Sequence, residues 1–232
     1  MQSRTPCITL IVAATLSNGI GMTGKLPWRL SKEMAYFANI TSAVPTQASD
    51  EDRVRNTVIM GRKTWESIPP KFRPLKNRIN VVVSRSYSSL QEQDGFVQAH
   101  DIEDACAYPT RGQPKVHRRF LIGGAQLYQH ALTNPSTNYL LDRILLTRIV
   151  EPSFEECDVH LSEFRSEAQV EAERTSTQSS LSETDADAEW RKAPHEELVE
   201  WAGFDVPEGV QEEKGIKYVF QMWVRKQRPL ET

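Results

Sequence analysis

The chain has 232 residues with a net charge of −3, and is 39% hydrophobic and 25% charged. These are the proportions of a globular chain long enough to bury its own core, and they exclude general electrostatic binding to nucleic acid or to membrane surfaces. Cys7, Cys106 and Cys157 are scattered and form no CxxC pair, so reduced thiols in the cytoplasm are expected, with nuclear or mitochondrial pools left open.

The run Pro6–Ala14 is apolar but too short to cross a membrane. Cys7 to Thr15 reads as a strand buried on both faces, as in a parallel sheet. A helix is expected over Ser31–Ile40, with Ser31 as its N-cap. Further strands are expected at Thr57–Met60, Ile79–Ser84, Phe96–Ala99, Arg119–Ile122, Arg143–Ile149 and Ile216–Arg225. Helical patterns fall at Lys63–Ile68, Ile102–Tyr108 and Gln126–Leu132. This alternation gives an α/β class: one domain over 1–232, with a mainly parallel central sheet flanked by helices. The C-terminal strand alternates and follows a charged loop, which suggests an antiparallel edge. Two stretches interrupt the rhythm. Val44–Asn56 is polar and reads as a loop. A surface insert is expected at about 163–203. Within it, Glu171–Glu189 has few groups to bury and reads as a mobile excursion, and Pro194–Ala202 as a short helix stopped by Gly203.

Four features fall where an open α/β sheet places ligands, at the carboxyl ends of strands. Gly19-Ile20-Gly21-Met22-Thr23-Gly24 has the spacing of a dinucleotide fingerprint. However, Leu26-Pro27-Trp28 follows instead of a helix, and no acidic residue stands at the required distance. A mobile glycine-rich loop crossing a pocket fits better. Gly61-Arg62-Lys63-Thr64 is a strand–Gly–helix junction with two cations, suited to a phosphate or to a solvated turn. Ile122-Gly123-Gly124-Ala125-Gln126 is a second such junction, whose glycines either admit a ligand to the backbone or simply make a tight turn. In the helix after Ser31, the helical period puts Glu33 in the middle of a face formed by Leu30, Met34, Tyr36, Phe37 and Ile40. A carboxylate there is costly unless paired or used, although a first-turn acid can also reach out to water. The basic run Lys115–Arg119 directly precedes a strand and reads as a solvated strand entry.

Taken together, the chain resembles the dihydrofolate reductases. The resemblance rests on Leu10–Ala14, Gly19-Ile20-Gly21 through Leu26-Pro27-Trp28, Glu33 with Phe37, Gly61-Arg62-Lys63-Thr64-Trp65-Glu66-Ser67-Ile68-Pro69, Pro74–Arg78, Ser84-Arg85, Ile122-Gly123-Gly124 with Tyr128, Thr147, and Gly215–Tyr218. The insert looks like the longer enzymes of fungi. The resemblance implies reduction of dihydrofolate by NADPH in support of one-carbon metabolism, by a monomer with no membrane, nucleic-acid or metal partner. Glu33 would hold the pteridine and drive protonation of its N5. Thr147 would hydrogen-bond that carboxylate and Trp28 would order a water beside it, with Leu26 in the same catalytic set. Ile11, Val12, Ala13 and Ile122 would line the ring pocket. Met34, Phe37, Ile68, Phe72, Leu75 and Tyr128 would contact substrate, and Arg78 would pair with its α-carboxylate. Arg62, Ser84 and Arg85 would take the 2′-phosphate of the cofactor, Lys63, Thr64 and the Gly124–Gln126 helix start would take its pyrophosphate, and Gly61 would also bind the cofactor. Ala13, Ile20, Gly21, Gly24 and the run Gly123-Gly124-Ala125-Gln126-Leu127-Tyr128 complete the cofactor set, with a cis peptide at Gly123-Gly124. Met34 and Phe72 depart from the vertebrate pattern and should alter antifolate preference. Two alternatives remain open at this point: the related pyrimidine reductase of riboflavin synthesis, and a non-catalytic folate- or nucleotide-binding protein.

Overall fold

The computed structural model describes residues 5–45, 54–109, 115–175 and 188–226. In chain order its elements are β1 (Cys7–Thr15), β2 (Gly19–Gly21), α1 (Ser31–Ser42), β3 (Arg55–Gly61), α2 (Arg62–Ser67), β4 (Arg78–Val83), β5 (Gln91–Gln93), β6 (Phe96–Ala99) and α3 (Ile102–Ala107). There follow β7 (Val116–Leu121), α4 (Ala125–Thr133), β8 (Leu140–Glu151), β9 (Val159–His160), α5 (Glu167–Thr175), β10 (Trp190–Lys192), α6 (His195–Ala202), β11 (Gln211–Glu213) and β12 (Ile216–Arg225). The chain forms two compact units. The first comprises the residues up to Ile11 and Glu33–Leu141; the second comprises Val12–Lys32 and Asp142–Thr232. The division falls inside β1, α1 and β8.

In the first unit the strand order is β1-β7-β3-β4-β6-β5. All of these pairings are parallel except β5 with β6. The parallel strands share apolar stretches, Val58-Ile59-Met60 in β3, Val81-Val82-Val83 in β4 and Phe120-Leu121 in β7. Val58, Ile59, Val81, Val82, Phe120 and Leu121 are fully buried, as expected of strands covered on both faces. The register aligns their carboxyl ends. Gly61 stands opposite Val83, Ile59 opposite Leu121, and Leu10 opposite Leu121 on the other side. The segments that follow β3, β4 and β7 therefore emerge side by side.

In the second unit the antiparallel strand β12 lies along β8. Two short strands cover its ends on the other side: β11 along Ile216–Tyr218, and β10 along Trp223–Arg225. The glycine-rich segment after β1 is not a bare loop. β2 pairs with β9. Thr23 and Gly24, both at positive φ, close a two-residue turn bonded between Met22 and Lys25.

The described part of the insert is built into this unit rather than laid on its surface. Trp190 is 3% exposed and Leu198 1% exposed. Phe164 packs edge-on against Trp190 and Trp223, at 5.9 and 5.4 Å. The expected excursion over Glu171–Glu189 is corrected at both ends. Glu171–Thr175 continue α5, and Ala188 is buried. Residues 176–187 lie outside the described residues. Charged composition misled here because the charges pair, and a paired charge can be buried. The helix before Gly203 forms as expected, with Gly203 in the left-handed region as its C-cap. Most of the expected loop Val44–Asn56 lies outside the described residues, and its last two residues already belong to β3.

Candidate active site

In the first unit, Glu33 occupies the first turn of α1 and is only 8% exposed. The buried stripe of this helix is Glu33, Tyr36, Ile40 and Thr41. Met34 stands 52% exposed, so the apolar face inferred from the helical period splits into a buried row and an open one. Burial, and then the negative charge of Glu33, push the hydroxyls of Tyr36 and Tyr128 well above the ordinary tyrosine range. Both phenols thus remain protonated beside an acid. The Tyr128 hydroxyl donates to the Ile11 carbonyl at 2.8 Å, fixing the helix after β7 to the middle of β1. Phe72 stands exposed like Met34, and Phe37, Ile68, Leu75 and Ile122 are partly exposed, leaving an apolar surface available to a ligand.

Arg78, at the start of β4, donates from Nε to the Lys76 carbonyl at 3.0 Å and from Nη1 to the Thr41 hydroxyl at 2.7 Å. Burial alone lowers its pKa from the ordinary arginine value. It makes no ion pair with a carboxylate among the described residues. A half-buried guanidinium, aimed by two hydrogen bonds and lacking a protein anion, is suited to a ligand carboxylate. Thr41 was not among the residues the sequence singled out. The signal that could have found it is its position eight residues after Glu33, within the same broad face of α1.

The carboxyl ends of β3 and β7 meet through their glycines. The Gly61 N–H donates to the Gly123 carbonyl at 2.7 Å. Gly123 has φ +117, and a Cβ on Gly124 would come within 3.1 Å of Thr64 Oγ1. The peptide between the two glycines is cis. The N-cap of α4, Gly124, provides no side-chain cap for the first N–H groups of the helix. Arg62 and Lys63 follow β3, and Ser84 and Arg85 follow its neighbour β4. Arg62 makes one loose pair, with Glu66 at 3.8 Å. Lys63 and Arg85 are exposed and make no ion pair among the described residues. Close backbone approach, an uncapped helix start and unmatched cations fit a phosphorylated dinucleotide such as NADPH.

The second unit carries the remaining sequence candidates. Val12 is buried and Ala13 partly buried in β1. Gly21 is buried in β2, with Ile20 beside it partly exposed, and Gly24 lies in the exposed turn. Leu26 stands 52% exposed. Trp28 is 5% exposed and meets Phe154 edge-on at 5.3 Å; its buried indole Nε1 has no hydrogen-bond acceptor among the described residues. Thr147 is 2% exposed in β8. Among the described residues no group of His, Cys, Asp and Glu could hold a metal ion, and no helix is long and apolar enough to cross a membrane. Cys106 is a buried thiol whose pKa burial pushes up to about 12, which leaves it unreactive.

This arrangement defines a class: an α/β enzyme that seats a phosphorylated dinucleotide on strand ends carrying a buried carboxylate nearby. Comparison with known proteins narrows it. The family described as dihydrofolate reductase matches residues 7–189. A dihydrofolate reductase of Cryptococcus neoformans is 44% identical over 97% of this chain and 98% of its own. One from Pneumocystis carinii is 41% identical over 94% and 96%. The solved structure of Schistosoma mansoni dihydrofolate reductase superimposes with a TM-score of 0.67 at 28% identity, covering 95% of this chain and 99% of that one. The chain belongs to the dihydrofolate reductase family. The two fungal relatives extend through the insert as well, in line with its resemblance to the longer fungal enzymes.

Proposed function

We propose that this chain reduces 7,8-dihydrofolate to 5,6,7,8-tetrahydrofolate with NADPH, and that Glu33 is the residue that makes the pteridine reducible. The observation that carries this reading is a carboxylate held 8% exposed in the first turn of α1, on a buried stripe whose other members are Tyr36, Ile40 and Thr41. The family supports the reaction and the cofactor. The pyrimidine-reductase and non-catalytic readings have no observation in their favour.

NADPH, when held by the residues of the β3, β4 and β7 strand ends, would supply the hydride that reduces C6 of the substrate. Glu33 holds the amidine edge of the pteridine, and its charge favours a proton, delivered by water, at N5. The protonated N5=C6 bond then accepts the hydride as a saturated N5–H and C6–H pair. Thr147 and Trp28 are assigned to the carboxylate and to its water on the strength of the family resemblance. Leu26, Ile20, Gly21 and Gly24 are assigned on the same ground. Met34, Phe37, Ile68, Phe72 and Leu75 shield the substrate from water, and Arg78 takes its α-carboxylate. Arg62, Ser84 and Arg85 take the 2′-phosphate, while Lys63, Thr64 and the α4 start take the pyrophosphate. The same reading makes the protein a cytoplasmic monomer; for the compartment speak Cys7, Cys106 and Cys157, which form no disulfide.

The test is turnover of dihydrofolate followed by the loss of NADPH absorbance, repeated with NADH. Two charge-assisted hydrogen bonds to the 2′-phosphate predict a preference for NADPH of roughly 10²-fold or more in kcat/KM. Equal kcat/KM with both cofactors would remove the assignment of Arg62, Ser84 and Arg85. No turnover at all would remove the function.

A further inference from the structure

The second unit buries a set of matched charges that the reaction does not use. Arg148 in β8 and Arg165 before α5 have side chains 1% and 2% exposed, and both meet the carboxylate of Glu173, 7% exposed. Arg148 Nε lies 3.2 Å from Glu173 Oε2. Arg165 also holds Glu163, with Nη2 at 2.7 Å from Oε2. Gln221 donates to Glu173 Oε1 at 2.7 Å, and the Trp223 indole donates to Gln221 at 3.1 Å. Two cations face two anions, and Gln221 carries the network on to Trp223 in β12.

This network ends on the root of the glycine-rich segment. Arg148 Nη1 and Arg165 Nη2 both donate to Asn18 Oδ1, at 3.0 and 3.2 Å. Asn18 Nδ2 donates to Glu163 at 3.0 Å. Arg148 Nη1 also donates to the Thr15 carbonyl at 2.5 Å. Asn18 is buried and sits at φ +62, a left-handed conformation that costs any residue but glycine some strain. Its amide therefore does more than fill space: it fixes the corner at which β1 turns into β2. Beyond the corner, the segment's own ties run to the strand that leads into the insert. Leu161 N–H donates to the Asn18 carbonyl and Asp158 N–H to the Gly21 carbonyl, while Thr23 N–H donates to the Asp158 carboxylate. Arg148 directly follows Thr147 in β8, so successive side chains of one strand serve the catalytic set and the network.

We propose that Arg148, Arg165 and Glu173 are positioning residues: through Asn18 they hold the segment Asn18–Trp28 in the conformation hydride transfer requires, so the insert serves catalysis from a distance. This rests on the proposed function only in the phrase about hydride transfer. A network whose sole task was to dock the insert would not place two guanidinium donors on one asparagine oxygen at the segment's root.

The experiment is amide hydrogen exchange of the full chain without ligands, read on peptides covering Leu16–Gly24, α5 and β4, for wild type, Glu173→Gln, Asn18→Gly and the double variant. Glycine accepts the backbone angles of Asn18 without strain and removes only the side-chain tie. Asn18→Gly should speed exchange over Leu16–Gly24 by about tenfold and leave α5 and β4 unchanged. Glu173→Gln should speed both the segment and α5. The double variant should exchange no faster in the segment than Glu173→Gln alone, because both changes break one path. Where Glu173→Gln does not fold, Asn18→Gly decides alone, together with Glu173→Asp, which keeps the charge and should stay near wild type. In single turnovers, Asn18→Gly should lower the hydride-transfer rate about tenfold while the KM for dihydrofolate changes little. Unchanged segment exchange in Asn18→Gly, or additive effects in the double variant, would overturn the proposal. A wild type that fails to oxidise NADPH with dihydrofolate would remove the function and leave the exchange result standing.

Discussion

The cations at the strand ends of the first unit and those buried in the second have opposite circumstances. Lys63, Arg85 and Arg78 make no ion pair among the described residues, and Arg62 has only the loose contact with Glu66. Arg148 and Arg165 are almost fully enclosed, and each is matched by a carboxylate. Burial lowers the pKa of Arg148 to about 10 despite the neighbouring Glu173. For Arg165, burial is outweighed by Glu163 and Glu173, which raise its pKa. An unmatched guanidinium on a rim is available to a ligand's anion, whereas a buried one must find its anion within the fold, since an isolated buried charge is far too costly. The degree of matching therefore separates cations that bind from cations that build.

The most severe way to break this contrast is to alter the one buried carboxylate assigned to chemistry. Glu33→Gln keeps the shape, removes the charge, and should lower the hydride-transfer rate at about pH 7 by roughly 10²–10⁴-fold. Circular dichroism should show it folded, since glutamine keeps the size and shape of the side chain. A smaller effect is expected at a binding cation. Arg78→Leu should raise the KM for dihydrofolate by roughly 10²-fold with little change in kcat. It should matter far less for a pteridine substrate lacking the glutamate tail; equal harm to both substrates would mean that Arg78 builds rather than binds. Thr41→Val removes the hydroxyl that aims Arg78. One neutral hydrogen bond's worth of orientation predicts a KM increase of about fivefold, again specific to the tailed substrate. A Thr41→Val effect on the tail-less substrate would separate Thr41 from Arg78.

The smallest effect belongs to the network's outer carboxylate. Burial raises the pKa of Glu163, but hydrogen bonds from the Arg165 side chain and the Phe164 and Arg165 backbone outweigh it and hold it below the usual carboxylate value. Its contribution to stability is therefore present above the unfolded pKa, near 4.3, and is lost as pH falls through the lower folded value. With 43% of the side chain exposed, solvent screening keeps that contribution small. Glu163→Gln should flatten the acid limb of the Tm–pH curve slightly and leave Tm near neutrality lowered by a few degrees at most. A steeper acid limb in the variant would show that burial, not Arg165, dominates at this position.

The sequence was informative where chemistry sits on local patterns. The continuous apolar run of β1, the 3.6-residue period that places Glu33 on α1, and the glycine junctions at Gly61 and Gly123 each lie within a few neighbouring residues. β1, β6 and β12 begin and end where the pattern predicts. The short strands β2, β9, β10 and β11 have two or three residues apiece and exist only through their pairing partners, so no local period announces them. The network was hidden for the same reason. Asn18 is 130 residues from Arg148 and 147 from Arg165. Read one window at a time, Glu163, Arg165 and Glu173 are ordinary surface charges. Thr41 escaped because its role depends on Arg78, 37 residues away.

The role proposed for Glu33 is that its charge makes N5 of the pteridine basic enough to be protonated as hydride arrives. The pH profile of single-turnover hydride transfer for wild type and Glu33→Gln tests it most directly. A substrate already protonated in solution does not need the carboxylate. The variant should therefore regain rate steadily as pH falls, so that the two curves converge in acid and part widely near neutrality. A variant with a near-wild-type rate at about pH 7, or one whose rate stays flat as acid is added, would contradict the role given to Glu33.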